Sequence, residues 1–314
     1  MSPPSPPPQP SPNPDSSSLP LDQSHELLSS FSSFLAVAIH NILYYRNIYP
    51  PATFLSTRAY NLPVHQNRHP KVCGWVSDAV DAVAAQLSTG HVSRIAIVIH
   101  SPFNRPFPPP PKSNPQSQTP SQSPKHSLRP GSVLERWLID TSRFPTWPDS
   151  NSTSSNLPTA ATTSRAMRDF SRVLAKESRT EETRDTLLLA DSDALRWPDL
   201  DEQLRGALRR MASVAERMAR LPDGCTFTVA VELDEEGRAP IGHPQPWIPS
   251  EPNLQPASKS KDQAGDDIGG VKTRPIRSVE AGPLFFECWV EEGKAKDVLM
   301  SMMQGGRRAS QLST

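Results

Sequence analysis

The chain has 314 residues, including 36 prolines, and its 33 basic and 33 acidic side chains give a formal net charge of zero. That balance argues against a free-standing nucleic-acid-binding protein, because such proteins usually present a basic face that neutralises phosphates. The three cysteines, Cys73, Cys225 and Cys288, are widely spaced and form no CxxC pair, which favours a reduced intracellular compartment over a disulfide framework.

Proline and serine cluster in stretches that divide the chain. Residues 1–20 form a proline-rich tail, and residues 102–130 and 141–196 are two low-complexity stretches. Such compositions bury too little apolar surface to offset the entropy of ordering. We therefore expect a disordered tail and two long insertions in surface loops, which leaves roughly 200 residues for one domain with a hydrophobic core. The predicted domain spans residues 21–292, and a second disordered tail spans residues 293–314.

Helical periodicity predicts two helices in the first part of this domain. Residues 22–48 carry a broad apolar stripe, and residues 27–45 contain no Asp, Glu, Lys or Arg. Four serines together with His40 and Asn41 favour a buried helix over a membrane span. Residues 70–87 have apolar side chains at three-and-four spacing and predict the second helix.

Two strands and a third helix follow. Residues 95–99 form a continuous apolar run, which predicts a central strand, and residues 133–139 read as its neighbour across the first insertion. Residues 199–221 predict the third helix, with Asp199 and Glu202 spaced as a capping pair.

The last part of the domain is rich in strands. Residues 226–233 alternate cleanly between apolar and polar side chains, and residues 271–276 and 284–290 are two further strand candidates. Residues 284–290 place large apolar groups on both faces, so this strand is either covered twice or meets a partner. The order of elements predicts an α+β fold with helices packed on one antiparallel sheet.

The sequence offers no clear catalytic or metal-binding pattern. It has no phosphate-binding loop, no GxGxxG and no GxSxG. His65, His69 and Cys73 are spaced four apart, but Pro70 interrupts their helical alignment and no fourth ligand is near. We therefore expect a protein that is not an enzyme and that needs no metal and no cofactor.

Several short blocks, in one order, resemble the HORMA-domain family, and within it the accessory subunits of DNA polymerase zeta. They cover residues 34–44 (FLAVAIHNILY), 46–50 (RNIYP), 60–64 (YNLPV), 69–70 (HP), 224–229 (GCTFTV), 246–248 (PWI) and 290–292 (VEE). The resemblance implies three helices packed on an antiparallel sheet, with a C-terminal hairpin called the safety belt over residues 234–292. In this family the belt wraps an extended peptide of a partner, which pairs with a sheet edge.

The resemblance also assigns peptide-binding residues. Trp75 matches an aromatic of the peptide groove, Trp247 matches a belt tryptophan that packs on prolines of the peptide, and Tyr49 belongs to the same groove. Pro249 stands where the family has an aliphatic groove residue, which is a departure from the pattern. The implied ligand is a proline-containing segment of the catalytic subunit of polymerase zeta.

Two further surfaces are implied. Arg205 matches an arginine used for dimerisation between HORMA domains. Glu287 and Trp289 match positions that dock the C-terminal domain of a scaffold translesion polymerase, and Thr273 replaces a leucine of that surface. The implied protein is a nuclear adaptor for translesion synthesis that contacts neither nucleic acid nor membrane directly.

Two other functions on the same fold stay open. One is a spindle assembly checkpoint regulator that binds a mitotic activator. The other is a meiotic chromosome-axis protein, which usually carries its own closure motif in a tail; residues 293–314 contain no convincing motif of this kind.

Overall fold

The computed structural model describes residues 21–102, 130–145, 196–234, 247–250, 252–255 and 264–311. The predicted tail 1–20 and nearly all of the predicted insertions 102–130 and 141–196 lie outside the described residues. The helices are α1 (Leu21–Tyr45), α2 (Pro70–Leu87), α3 (Trp197–Arg217) and α4 (Lys294–Gln311). The strands are β1 (Phe54–Ala59), β2 (Leu62–Asn67), β3 (Val92–His100), β4 (Val133–Asp140), β5 (Thr226–Leu233), β6 (Lys272–Ala281) and β7 (Leu284–Glu292).

A five-stranded antiparallel sheet forms the centre of the fold, in the order β5-β3-β4-β7-β6. The predicted neighbours β3 and β4 pair directly, and nearly all their side chains are buried because both faces of the sheet are covered. Ile95, Ile97 and Ile99 point to the main core, and Ala96 and Val98 form a smaller cluster on the opposite face. The predicted α+β class is confirmed.

Helix α1 lies in the main core. Its segment Gln23–Tyr45 is the one stretch, among the residues with described positions, that is long and apolar enough to cross a membrane. Its apolar side chains are packed inside the protein, with Leu27, Phe34 and Ile39 fully buried. Packing against the sheet and the other helices therefore accounts for the apolar stripe.

The prediction for the start of α3 is wrong in detail. The helix begins at Trp197 rather than at Asp199, because Pro198 suits the first turn and the preceding Arg196 has an extended backbone. Asp199 and Glu202 are thus inside the helix and do not cap it. They form surface ion pairs with Arg196 and Arg205.

A hairpin of β1 and β2 was not predicted from the sequence. Its turn places Tyr60 and Asn61 at positive φ values of 50° and 55°. It packs on α1, where the Asn41 Oδ1 atom accepts a hydrogen bond from the His65 N–H at 2.9 Å and the His65 ring stacks on Tyr44.

The predicted disordered tail at residues 293–314 is wrong over its first part. Helix α4 follows β7 after a single residue, and its Lys296 and Leu299 are buried. The segment is polar in sequence, yet its Lys296 meets Glu135 and Glu292 inside the protein and so anchors the helix.

Candidate functional site

The two edges of the five-stranded sheet differ in chemistry. At the β6 edge, Pro275 cannot donate a backbone hydrogen bond, a bulge interrupts the pairing between Pro275 and Arg277, and α3 packs against the strand. The Arg277 guanidinium lies over Gly206 of α3 and donates to the Gln203 Oε1 atom at 2.7 Å. These features block the addition of another strand at β6.

The β5 edge carries none of these features. The strand has no proline and no lysine, and its pairing with β3 is continuous from Arg94 to His100. No strand among the described residues pairs with its outer side. None of its side chains is fully buried, although Phe227, Val229, Val231 and Leu233 are apolar and pack on the main core. Such an edge is a template for an added strand.

An aromatic cluster, formed by Tyr49, Trp75 and Phe227, stands at the beginning of β5. The Trp75 ring meets Phe227 edge-on with centroids 4.8 Å apart, and the Tyr49 and Phe227 centroids are 6.4 Å apart. Trp75 keeps 39% of its surface exposed, which is a large exposure for a tryptophan held in contact with other rings. Burial raises the pKa of the Tyr49 hydroxyl.

The connection between β5 and β6 joins opposite edges of the sheet. The described part of it includes Trp247, which packs on the main core, and Leu254, which packs on the small cluster of the opposite face. Backbone bonds such as that from the Asp267 N–H to the Asn253 carbonyl at 3.1 Å tie the connection to itself. This segment corresponds to the first part of the predicted safety belt.

The indole N–H of Trp247 has no hydrogen-bond acceptor among the described residues. Its Nε1 atom is buried, yet it has no hydrogen-bond partner in the part of the chain that the structure describes. The next residue, Ile248, is 81% exposed, and Pro249 is exposed as well. A buried donor without an acceptor costs free energy unless a ligand supplies one.

The three residues predicted to dock a scaffold polymerase lie together on the hairpin of β6 and β7. Thr273 is paired with Glu291 and Pro275 with Trp289, so Thr273, Trp289 and Glu287 share the face that points away from the helices. Glu287 and Thr273 are exposed, and the Trp289 Nε1 atom donates to Glu291 at 3.1 Å. The structure thus brings the three residues together on one face of the hairpin.

Arg205 lies on the solvent side of α3. Its guanidinium donates to the Glu202 Oε1 atom at 2.6 Å; Glu202 is exposed, and Arg205 is half-buried. A partly solvated pair of this kind contributes little to stability.

The three metal-like residues serve structural roles. The His69 Nδ1 atom accepts the Lys71 N–H at the start of α2, and the Cys73 thiol donates to the Asn67 carbonyl at 2.8 Å. The His65 ring is the one stacked on Tyr44. Within the described ranges, no three His, Cys, Asp or Glu side chains converge on a point that could hold a metal.

Residues 28–275 match the family model of the HORMA domain. This match covers most of the chain, and the protein therefore belongs to the HORMA domain family. The expected fold class, helices on an antiparallel sheet with a C-terminal hairpin, is confirmed.

Curated relatives indicate which members of the HORMA domain family this chain resembles. The chain is similar to the DNA polymerase zeta processivity subunit of Schizosaccharomyces pombe, with 26% identity over 262 residues, 83% of this chain and 91% of the relative. It is also similar to the mitotic spindle assembly checkpoint protein MAD2B of Rattus norvegicus, with 36% identity over 75 residues, 24% of this chain and 36% of the relative. The latter match thus spans only a minor part of MAD2B.

Solved structures align with the chain at lower sequence identity. A chain of the crystal structure of the mitotic checkpoint complex aligns with a TM-score of 0.49 at 15% identity, over 84% of this chain and 97% of that one. C. elegans HTP-2 bound to a closure motif of HTP-3 aligns with a TM-score of 0.46 at 12% identity, over 88% of each chain.

Proposed function

We propose that this protein is a non-catalytic HORMA adaptor that captures an extended peptide along the outer edge of β5. The observation that carries the proposal is the contrast between the two sheet edges: β6 is blocked, whereas β5 carries apolar side chains and has no strand on its outer side among the described residues. Strand addition at an open edge gives affinity through backbone hydrogen bonds, and adjacent pockets select side chains. The aromatic cluster of Tyr49, Trp75 and Phe227 supplies such a pocket.

The connection after Leu233 encloses the captured peptide. It runs from the β5 edge to the β6 edge, and it carries Trp247, whose buried N–H has no partner among the described residues. A carbonyl oxygen of a bound peptide would satisfy that donor. Release of the peptide requires the connection to open, so the complex should dissociate slowly. The affinity should therefore be determined mainly by this slow dissociation rate.

The proposed ligand is a proline-containing segment of the catalytic subunit of polymerase zeta. This choice is supported by the similarity to the S. pombe processivity subunit over most of both chains. Exposed Trp75 offers an apolar ring face of the kind on which prolines pack. In this role the protein works in the nucleus and supports lesion bypass.

The second surface recruits a scaffold translesion polymerase through its C-terminal domain. Glu287, Trp289 and Thr273 form it on the outer face of β6 and β7, so both partners are held at once by one small domain. Arg205 on α3 provides a separate contact for dimerisation with another HORMA domain.

The test uses the full chain and synthetic peptides from the polymerase zeta catalytic subunit. Trp75→Ala combined with Trp247→Ala is expected to abolish binding by calorimetry, while Leu55→Ala, an exposed apolar residue of β1, leaves it unchanged. Replacing single peptide N–H groups by N–CH₃ should weaken binding at every second position. The reason is that only every second amide of an added strand points toward β5 and can form a hydrogen bond with it. Unchanged affinity in the double variant, or no two-residue period, would reject the site.

A second candidate function is regulation of the spindle checkpoint. The observation in its favour is the 36% identity to MAD2B, a protein named for that checkpoint. Identification of the partner that co-purifies from cells treated with ultraviolet light, and separately from mitotic cells, distinguishes the two functions.

A further inference from the structure

Four charged side chains meet in the interior at one end of the sheet. The Arg46 guanidinium, in the turn directly after α1, forms two bonds to the Glu135 carboxylate of β4, at 2.7 and 3.0 Å. The Lys296 ammonium of α4 donates to the same carboxylate at 2.6 Å and also to Glu292 at the end of β7. Arg46, Glu135 and Lys296 are at most 2% exposed, so the cluster is shielded from water.

The cluster combines two pairs from different parts of the chain, and the Glu292 carboxylate is shared with the partly exposed Arg274 of β6. Arg46 and Glu135 belong to the core that precedes the belt, and Glu292 and Lys296 belong to the C-terminal segment, four residues apart. Each pair cancels its own charge. Neither pair therefore leaves an uncompensated buried charge when the other moves away, which is the costly event for ions in a protein interior.

Arg46 and Glu135 form the binding site for Lys296, and their other contacts do not involve this lysine. The other donors of Arg46 bind the carbonyls of Ala215 and Ala219, at 2.9 and 2.6 Å, at the end of α3. The Trp137 Nε1 atom donates to Glu135 at 3.2 Å. These contacts orient the Glu135 carboxylate without the participation of Lys296.

The backbone at Gly293 brings the C-terminal segment close to Arg46 and Glu135. The Gly293 N–H donates to the Leu134 carbonyl at 2.8 Å, and a Cβ atom on Gly293 would lie 2.5 Å from the Val133 carbonyl oxygen. Glycine is thus required for the chain to turn from β7 into α4 directly over β4.

We infer that Lys296 is the latch that holds the β6–β7 hairpin, the second part of the belt, closed against β4. The lysine joins α4 to Glu135 in the core and to Glu292 of β7, and Arg274 of β6 donates to the other Glu292 oxygen at 2.6 Å. One ammonium group therefore ties β7 and the last helix to the body of the domain, and Arg274 links β6 to the same Glu292 carboxylate. The link to peptide release rests on the proposed function, but the latch itself does not.

The test measures hydrogen exchange in the full chain without any peptide. Lys296→Met keeps the length of the side chain and removes its charge, and Lys294→Met, at an exposed position of the same helix, is the matched control. We expect Lys296→Met to speed amide exchange in β6, β7 and α4 about tenfold and to leave β3 and α1 at their original rates. Lys294→Met should change none of them, and Lys296→Arg, which retains the charge, should restore most of the protection.

Two results would overturn the latch. One is exchange in β6 and β7 that is the same in Lys296→Met as in Lys294→Met. The other is faster exchange spread evenly over β3, α1 and the hairpin, since this pattern reports a general loss of stability. Peptide dissociation is measured afterwards, with about tenfold faster release expected in Lys296→Met. If no peptide binds even the unaltered chain, the proposed function fails while the exchange result still decides the latch.

Discussion

Trp75 on α2 meets the ring of Phe227 on β5 edge-on, with a centroid distance of 4.8 Å and an interplanar angle of 78°. This contact joins the second helix to the open edge of the sheet. In the proposed complex an added strand would find its first side-chain pocket here, because Phe227 is the second residue of β5.

Phe227→Ala should weaken peptide binding by about 2 kcal/mol, roughly thirtyfold in Kd. The substitution removes the ring that supports both Trp75 and Tyr49. Calorimetry with the proline-containing peptide measures the loss, and Leu55→Ala serves as the control. Equal affinity in the two variants would show that the aromatic cluster does not contribute to the binding site.

Two glycines should respond to alanine in opposite directions. Gly74 lies inside α2, where an added Cβ atom would meet no other atom within 4 Å, so Gly74→Ala should raise the free energy of unfolding by about 0.5–1 kcal/mol. Gly293→Ala should lower it by about 1–3 kcal/mol, because the backbone at Val133 has to move. Urea unfolding checks both values, and a stabilising Gly293→Ala would contradict the close approach at β4.

His40 should make the fold sensitive to mild acid. Its side chain is buried, and loss of hydration lowers its pKa from 6.5 to about 4. Between these values the unfolded chain binds a proton that the folded chain does not, so stability falls as pH drops through this window, by about 3 kcal/mol in total.

The measurement is the free energy of unfolding at pH 7.5 and at pH 5. His40→Asn retains an acceptor for the Asn67 N–H and should flatten the dependence. His25, exposed near the start of α1, is the control position for the same substitution. A dependence that persists in His40→Asn would assign the acid sensitivity to other groups.

Glu135→Ala should be among the most destabilising single changes, at about 3–5 kcal/mol, because it leaves the Arg46 and Lys296 charges without their shared carboxylate. The triple change Arg46→Leu, Glu135→Leu and Lys296→Met removes all three charges and should cost less than Glu135→Ala alone. Chemical denaturation measures each variant. A triple variant that is less stable than Glu135→Ala would show that the network adds net stability.

The regular parts of the fold followed from local patterns. Residues 70–87 form the predicted helix to the residue, since Pro70 and the apolar stripe both act within the helix itself. Strand β5 likewise has its predicted bounds. The β1–β2 hairpin was missed because Arg58 and Pro63 interrupt its alternation; Asn61, which tolerates positive φ, was the available signal.

The candidate site was found only in part. The resemblance supplied Trp75 and Tyr49, but Phe227, which joins them, looked like an ordinary inward residue of an alternating strand. The sequence did not predict the charged cluster either, for a related reason. Glu135 sits in an apolar strand and Lys296 in a polar tail, and nothing local in either segment reveals that the fold brings them together.

The unequal sheet edges have a consequence for assembly. A molecule that accepts a strand at β5 cannot pass the pairing on through β6, where Pro275 and the bulge end the ladder. Strand addition to the described five-stranded sheet is therefore limited to its β5 side, and two copies of the domain cannot pair by joining the β5 edge of one to the β6 edge of the other.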